Sequence, residues 1–243
     1  MNTLTKMETS VDVSVILPTY DERDNIVPLV QAIQRELGDA GIAYELLIVD
    51  DSSPDGTAQV VRDHFGNDER VRLFVRTEDR GLARAIVYGI NRAQGDTVAI
   101  MDTDFNHDPA MLPQMVKFLE YYDIIIGSRF TMGGGMEDRW RYLGSFMFNF
   151  FVRVILRTQI QDNLCGFFTI RRDKLLNMDV ERIFDGYGEY FMHLLFLAWR
   201  KRYTILEVPV FYIKRPHGKS KSRFLNMLVN YSWTALQVRL GWR

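Results

Sequence analysis

At 243 residues with 47% apolar side chains, the chain can bury the core of one α/β domain, or of one domain with an appendage. Its formal charge of −1 excludes a global pull toward nucleic acid or anionic lipid, so any such attraction must come from local patches. The single cysteine, Cys165, excludes an internal disulfide framework and fits a reducing compartment.

In chain order, the polar stretch Met1–Ser10 lacks the apolar centre of a secretory signal and is expected to be a disordered tail. Val11–Leu17 is a near-continuous apolar run, as in a strand covered on both faces, and Pro18 stops it. After the loop Thr19–Glu22, Asp24 is placed to cap a helix over Asn25–Leu37, with Pro28 in its first turn. Positions 26, 29, 30, 33 and 37 give that helix one apolar face. A strand over Tyr44–Val49 runs into the turn-rich Asp50–Thr57, then a helix over Thr57–Phe65 and a strand over Val71–Val75. Arg76, Asp79 and Arg80 occupy the loop before a helix over Gly81–Ala93. Thr97–Met101 is the fourth strand, followed by a helix over Pro109–Tyr121 and a strand over Asp123–Ile126. This alternation predicts a mainly parallel sheet with helices on both faces and right-handed crossovers.

Beyond Gly127, Ser128 and Arg129 the pattern changes. Thr131–Arg141 is glycine-rich and expected to be mobile. Leu143–Leu156 is an aromatic helical run interrupted by Asn149 and Arg153, too short to span a bilayer. A strand over Cys165–Ile170, a helix over Asp185–Arg200 and a strand over Thr204–Val208 precede a basic loop, Arg215–Lys221. An amphipathic helix over Phe224–Leu240 leads to Trp242 and Arg243. No run of about 20 uninterrupted apolar residues offers a transmembrane helix.

The stretch after the fourth strand carries the chemistry. On extended backbone, Asp102, Asp104 and Asn106 share a face at the strand's carboxyl end. Hard oxygen ligands at that spacing suit Mg2+ or Mn2+ holding a diphosphate, and the ligand crevice of an open α/β sheet lies beyond the carboxyl ends of its strands. Taken alone, Asp-x-Asp is more often an ordinary turn.

The motifs together resemble the inverting family-2 glycosyltransferases of the GT-A fold, and among them the dolichol-phosphate (polyprenyl-phosphate) mannosyltransferases. The resemblance rests on Pro18–Glu22, Val49–Thr57, Gly81 with Leu82, Asp102–Asn106, Gly127–Arg129, Gly133–Gly135 and Arg215–Lys221, in family order. It implies a domain over 11–223, with 224–243 as a C-terminal amphipathic helix suited to an interface. It also implies roles. Pro18, Tyr20, Glu22, Val49, Asp51 and Arg80 would face the nucleotide. Asp102, Asp104 and Asn106 would hold the cation. Arg129, with Arg141 and Ser145, would meet the acceptor phosphate. Arg215, Lys219 and Lys221 would close over the donor. The implied catalytic set is Asp104, Arg129 and Arg215. Asn106 stands where Gln is usual, which shortens the third metal arm, and Asp21 and Ala83 also depart from the pattern.

The implied reaction transfers mannose from GDP-mannose to a polyprenyl phosphate. A UDP-hexose donor, a glycan hydroxyl acceptor and a non-catalytic nucleotide-binding subunit of a membrane complex are the alternatives. A lipid phosphate is ionised at neutral pH and needs no strong base, only cations to dock it. A hydroxyl acceptor would need a carboxylate base, for which Glu189 is the candidate, although an acidic residue at a helix start is ordinary. His107, His193 and Cys165 are assigned to structure, since no spacing makes them a zinc site. Phe146, Phe148, Phe150 and Phe151 face more than one way. With Trp242, Arg239 and Arg243 they suggest helices lying on the cytoplasmic face of a membrane, beside a small membrane-embedded partner.

Overall fold

The structure of the chain, a computed structural model, describes residues 11–186, 188–213 and 224–241, with side chains throughout except at 224–227. Arg215, Lys219, Lys221, Trp242, Arg243 and the tail 1–10 lie outside the described residues.

The elements follow in order as β1 (Val13–Thr19), α1 (Arg23–Asp39), β2 (Tyr44–Asp50), α2 (Thr57–Phe65), β3 (Val71–Val75), α3 (Leu82–Ile90), β4 (Thr97–Ile100), α4 (Leu112–Phe118) and β5 (Ile124–Ser128). There follow β6 (Gly135–Met136), α5 (Arg139–Leu156), β7 (Phe168–Arg171), α6 (Arg172–Leu176), α7 (Val180–Ile183), α8 (Glu189–Arg200), β8 (Ile205–Pro209), β9 (Phe211–Tyr212) and α9 (Phe224–Leu240). The main sheet has the order β3-β2-β1-β4-β7-β5-β8, and β6 pairs separately with β9. Every residue of β1, β2, β4 and β5 is buried, as the apolar runs require of strands covered on both faces. The edge strand β3 is only partly covered. Pairing runs outward from β1 to β2 on one side and to β4 on the other, so the strand order reverses at the β1–β4 boundary. That boundary is where an open α/β sheet places its ligand.

One strand departs from the parallel rule. β7 lies antiparallel between β4 and β5, pairing Ile100 with Phe168 and Ile126 with Phe168. An antiparallel strand begins where its parallel neighbours end. The loop before β7, residues 157–167, therefore reaches the same edge as Asp102 and Arg129.

Local corrections have physical reasons. Helix α1 starts at Arg23 with Glu22, not Asp24, in the cap position, and Pro28 falls in its second turn. The hydrogen bond lost to Pro28 is on the exposed side, where water can serve the Asp24 carbonyl. The expected helix over Pro109–Tyr121 splits into a 3-10 turn over Pro109–Met111 and α4. Pro113 cannot donate to the carbonyl one turn back, so the chain tightens before α4 begins. The stretch expected to be mobile, 131–141, is built instead. Its β6 pairs with β9, and a Cβ at Gly134 would lie 2.5 Å from the Ser128 carbonyl oxygen. Asn149 does not interrupt α5. It is buried in the helix, donating to the Ser145 carbonyl at 3.0 Å and accepting the Asn163 N–H at 2.8 Å.

Helix α9 was expected to be amphipathic, and its described residues are apolar on more than one side. Ala235 and Val238 enter a second small core with Val152, Leu156, Met192 and Phe196 of α5 and α8. Val229, Trp233, Leu236 and Leu240 remain exposed, so the helix is apolar on both faces. No helix among the described residues is long and apolar enough to cross a membrane.

Candidate active site

Three loops beyond the carboxyl ends of β1, β2 and β4 form one side of the site. The first two are laced together. The Asp21 N–H donates to Ser53 Oγ at 3.0 Å, Glu22 N–H to Thr57 Oγ1 at 3.1 Å, and Arg23 N–H to Asp55 at 3.0 Å. Asp50 accepts the Ser53 N–H at 3.0 Å and Asp55 accepts the Thr57 N–H at 2.9 Å, so each loop is set before any ligand arrives. Asp21 and Ser52 hold left-handed backbone, φ +53° and +55°. This conformation is rare for non-glycine residues and tolerated by short polar ones.

Asp51 is buried, and its carboxylate accepts the Gly81 N–H at 2.6 Å and faces Arg76 at 3.5 Å. Burial pushes its pKa up, against the pull of the Gly81 N–H, Arg76 and Arg80. Arg76 also donates to the Asp79 carbonyl and packs over Tyr88. Arg80 sits over the half-exposed Tyr20 ring, 5.8 Å from its centroid. Pro18 and Val49 pair directly in the β1–β2 register. The six nucleotide-facing candidates therefore gather on two adjacent strand ends and the start of α3. Arg76 was missed in sequence, because a lone arginine in a loop gives no signal of the carboxylate it will meet.

Beyond β4, the Asp102 carboxylate is partly exposed, with its side chain 39% accessible, while Asp104 and Asn106 are buried. Asn106 gives both its backbone N–H (3.1 Å) and its amide N–H (2.9 Å) to Asp104. Its nitrogens thus hold the Asp104 carboxylate in place. Among the described residues no group of three His, Cys, Asp or Glu side chains could enclose a metal ion. Two hard carboxylates with the remaining positions left for water and phosphate oxygens still fit Mg2+ or Mn2+, which is rarely caged by protein alone.

The other side of the site rests on buried ion chemistry that the sequence did not reveal. Arg129, expected to reach for the acceptor phosphate, is buried and paired in two-pronged fashion with Asp162. Nε and Nη2 each lie 2.7 Å from its carboxylate, and the Arg129 N–H donates to it at 3.0 Å. Burial opposes the charge, but Asp162 outweighs it and holds the guanidinium above its ordinary pKa. Asp162 satisfies the Nε side, so only Nη1 and the second Nη2 hydrogen could serve a further anion. Glu207 fixes the Asp162 loop by accepting the Gln161 and Asp162 N–H groups at 2.8 and 3.0 Å. Arg129 also lies over the Tyr212 ring, 4.8 Å from its centroid. Arg141 and Ser145 stand one turn apart on α5, Arg141 exposed and Ser145 half-buried, just beyond the Asp138 cap.

His107 is buried. It stacks on Phe167, accepts the Asp102 N–H at 2.9 Å, and meets Tyr212 Oη at 2.9 Å. Burial raises the Tyr212 phenol and pushes the Cys165 thiol up to about 12, so neither ionises near neutrality. Glu189 is buried at the first position of α8.

This architecture is matched among known proteins. Dolichol-phosphate mannosyltransferase of Pyrococcus furiosus is 32% identical over 86% of the chain, which spans 58% of that relative's length. Undecaprenyl-phosphate mannosyltransferase of Micrococcus luteus is 31% identical over 94% of the chain and 99% of its own. Dolichol-phosphate mannosyltransferase of Saccharomyces cerevisiae is 31% identical over 87% of the chain and 81% of its own. In fold, the chain resembles glucosyl-3-phosphoglycerate synthase of Mycobacterium tuberculosis, solved with Mn2+, UDP and phosphoglyceric acid. The TM-score is 0.72 at 19% identity, over 94% of this chain and 78% of that one. The same enzyme with Mg2+ and UDP gives 0.71 at 21% identity, over 95% and 79%. Residues 14–178, from β1 through the acidic loop and β7, match the description of glycosyl transferase family 2. The GT-A-like sheet, the acidic pair at its switch point and this match together establish that the chain belongs to glycosyl transferase family 2.

Proposed function

We propose that the protein transfers mannose from GDP-mannose to a polyprenyl phosphate with inversion at the anomeric carbon, working at a membrane surface. The observation that carries this reading is a pair of features on one chain. An acidic pair stands at the sheet's switch point, and α5, which carries Arg141 in its first turn, turns an apolar surface outward. Trp140, Leu143, Met147, Phe150 and Val154 of α5 are all exposed. A sugar-phosphate acceptor would not call for such a surface, and a lipid-linked one would. The identities of 31–32% to polyprenyl-phosphate mannosyltransferases support the same acceptor class.

In this reading the loops beyond β1 and β2 hold the base and ribose, with Asp51 as a fixed acceptor. A divalent cation on Asp102 and Asp104 would offset the charge that builds on the leaving diphosphate. The acceptor oxygen, already ionised, forms its bond to the anomeric carbon as the bond to the diphosphate breaks on the opposite face. No proton need be removed, so no buried base is required. Arg141 and Ser145 receive the acceptor phosphate, and Arg129 contributes through the side of its guanidinium that Asp162 leaves open. Arg215, Lys219 and Lys221 are proposed to close over the donor. Such pre-set charges are each worth about 3–4 kcal/mol in the transition state.

Calorimetric titration with GDP, UDP, GDP-mannose and UDP-glucose, with and without Mn2+, tests the donor. Metal-dependent binding of the guanosine pair alone is expected. Preference for uridine would replace mannose transfer by transfer from a UDP-hexose. That alternative is kept because the structurally similar synthase is seen with UDP-glucose. Asp104→Ala should leave the fold intact and reduce turnover at least about 100-fold, in the range seen for loss of one charge-stabilising group. Retention of more than a tenth of the activity would remove Asp104 from the mechanism.

A further inference from the structure

Tyr212 lies where four parts of the site meet. Its hydroxyl is 2.9 Å from His107 Nε2 and 2.9 Å from the Cys165 carbonyl oxygen. His107 Nδ1 accepts the Asp102 N–H at 2.9 Å, so the ring proton belongs on Nε2 and points to Tyr212 and Cys165. Tyr212 Oη then accepts from His107 and donates to the Cys165 carbonyl, which satisfies every buried partner in the chain of bonds. The ring of the same tyrosine lies under the Arg129 guanidinium, 4.8 Å away. Its backbone carbonyl accepts the Glu137 N–H at 3.0 Å, immediately before the Asp138 cap of α5. All three side chains are buried, and His107 is wholly so. A generic core position does not need a hydroxyl here, since Phe would fill the same space.

We propose that Tyr212 is a positioning residue that couples the two halves of the site: its hydroxyl, through His107, sets the backbone of the cation-holding Asp102, and its ring carries Arg129 on the acceptor side. The inference rests on the reading of Asp102 and Asp104 as cation ligands. Groups that orient a ligand from behind typically change metal affinity 10–100-fold when removed. The coupling has a direction that can be tested. Removing the hydroxyl should loosen the acidic loop and spare Arg129, because the ring remains. Removing the ring should disturb both.

The test is Mn2+ binding measured directly, by the loss of free-ion paramagnetic resonance signal, with MnCl2 and saturating GDP or UDP. Tyr212→Phe should weaken Mn2+ binding about tenfold while nucleotide affinity without metal and the melting temperature stay close to wild type. His107→Asn keeps an acceptor for the Asp102 N–H but cannot reach Tyr212, and should give the same loss. The double variant should be no worse than either single one, since both break one chain of bonds. In transfer assays Tyr212→Leu alone should also raise the apparent KM for the polyprenyl phosphate. A merely structural tyrosine would lower the melting temperature without moving Mn2+ affinity. Mn2+ affinities within twofold of wild type for both single variants, or losses that add in the double variant, would overturn the coupling while leaving the cation site intact. Wild-type protein that binds no Mn2+ with either nucleotide would overturn both.

Discussion

Individual side chains in this site divide into those whose partners are close in sequence and those whose partners are not. Asp104, whose carboxylate is held by Asn106 two residues on, and Asp50 and Asp55, which accept from Ser53 and Thr57, stand in local turns that the sequence displays. Asp162, Glu207 and Tyr212 do not, because each meets its partner across a long stretch of chain, as Asp162 does with Arg129, 33 residues away. Composition carries no trace of such a meeting. The buried Arg129–Asp162 pair predicts a large effect when one member is lost. Arg129→Met strands a buried carboxylate and should cost about 3–5 kcal/mol. Differential scanning calorimetry should read this as a melting temperature lower by about 10 °C, and a shift under about 2 °C would mean that the loop rearranges to water. Glu207 gives a pH signature. Burial raises its pKa above the ordinary 4.5, against the N–H groups of Gln161 and Asp162. A raised carboxyl pKa favours the folded state most below the unfolded value, and that contribution is lost as pH rises through the folded value. The stability of wild type minus that of Glu207→Gln, from urea unfolding at pH 4, 5.5 and 7, should therefore fall with rising pH. A difference that is flat or rises would contradict the assignment.

At the scale of elements, the apolar periodicities located the strands and the long helices, and the misplacements follow from rules that act across the chain. β7 was found as a strand, but its antiparallel direction depends on which neighbours it joins, and it is this direction that brings Asp162 to the site. The glycines at 133–135 were read as mobility. They instead permit the close approach of Gly134 to Ser128 and the pairing of β6 with β9. Helices α5, α8 and α9 share a small core separate from the main one. Phe196→Ala within it should cost about 3–5 kcal/mol, measurable by denaturant unfolding. The outward faces of α5 and α9 make a different prediction. Phe150 and Val154 are exposed, so Phe150→Glu with Val154→Glu should leave the melting temperature within a few degrees. The pair should abolish co-flotation with liposomes containing polyprenyl phosphate, if α5 is the membrane-facing surface. Unchanged flotation would assign that face to something other than lipid.

Across the whole molecule, the parallel half of the sheet and the antiparallel insertion of β7 deliver the loops after β1, β2 and β4 and the Arg129–Asp162 pair to one edge. The positions of Pro18, Tyr20, Glu22, Val49 and Asp51 at and beyond the carboxyl ends of β1 and β2 could be read from sequence, because a Rossmann-like half places loops of this kind immediately after consecutive strands. The surroundings of Arg129 depend on β7, β6–β9 and α5 folding back together, which no local pattern shows; the helix carrying Arg141 and Ser145 was readable from its apolar run. The proposed union of a nucleotide-activated sugar with a lipid phosphate at this edge is tested by transfer from GDP-mannose labelled in the sugar, with polyprenyl phosphate in detergent and Mn2+, followed by organic extraction and counting. Label is expected in the organic phase, dependent on both lipid phosphate and metal and lost in Asp104→Ala. Label that stays wholly in the aqueous phase, while the protein binds GDP-mannose with Mn2+, would contradict that proposal.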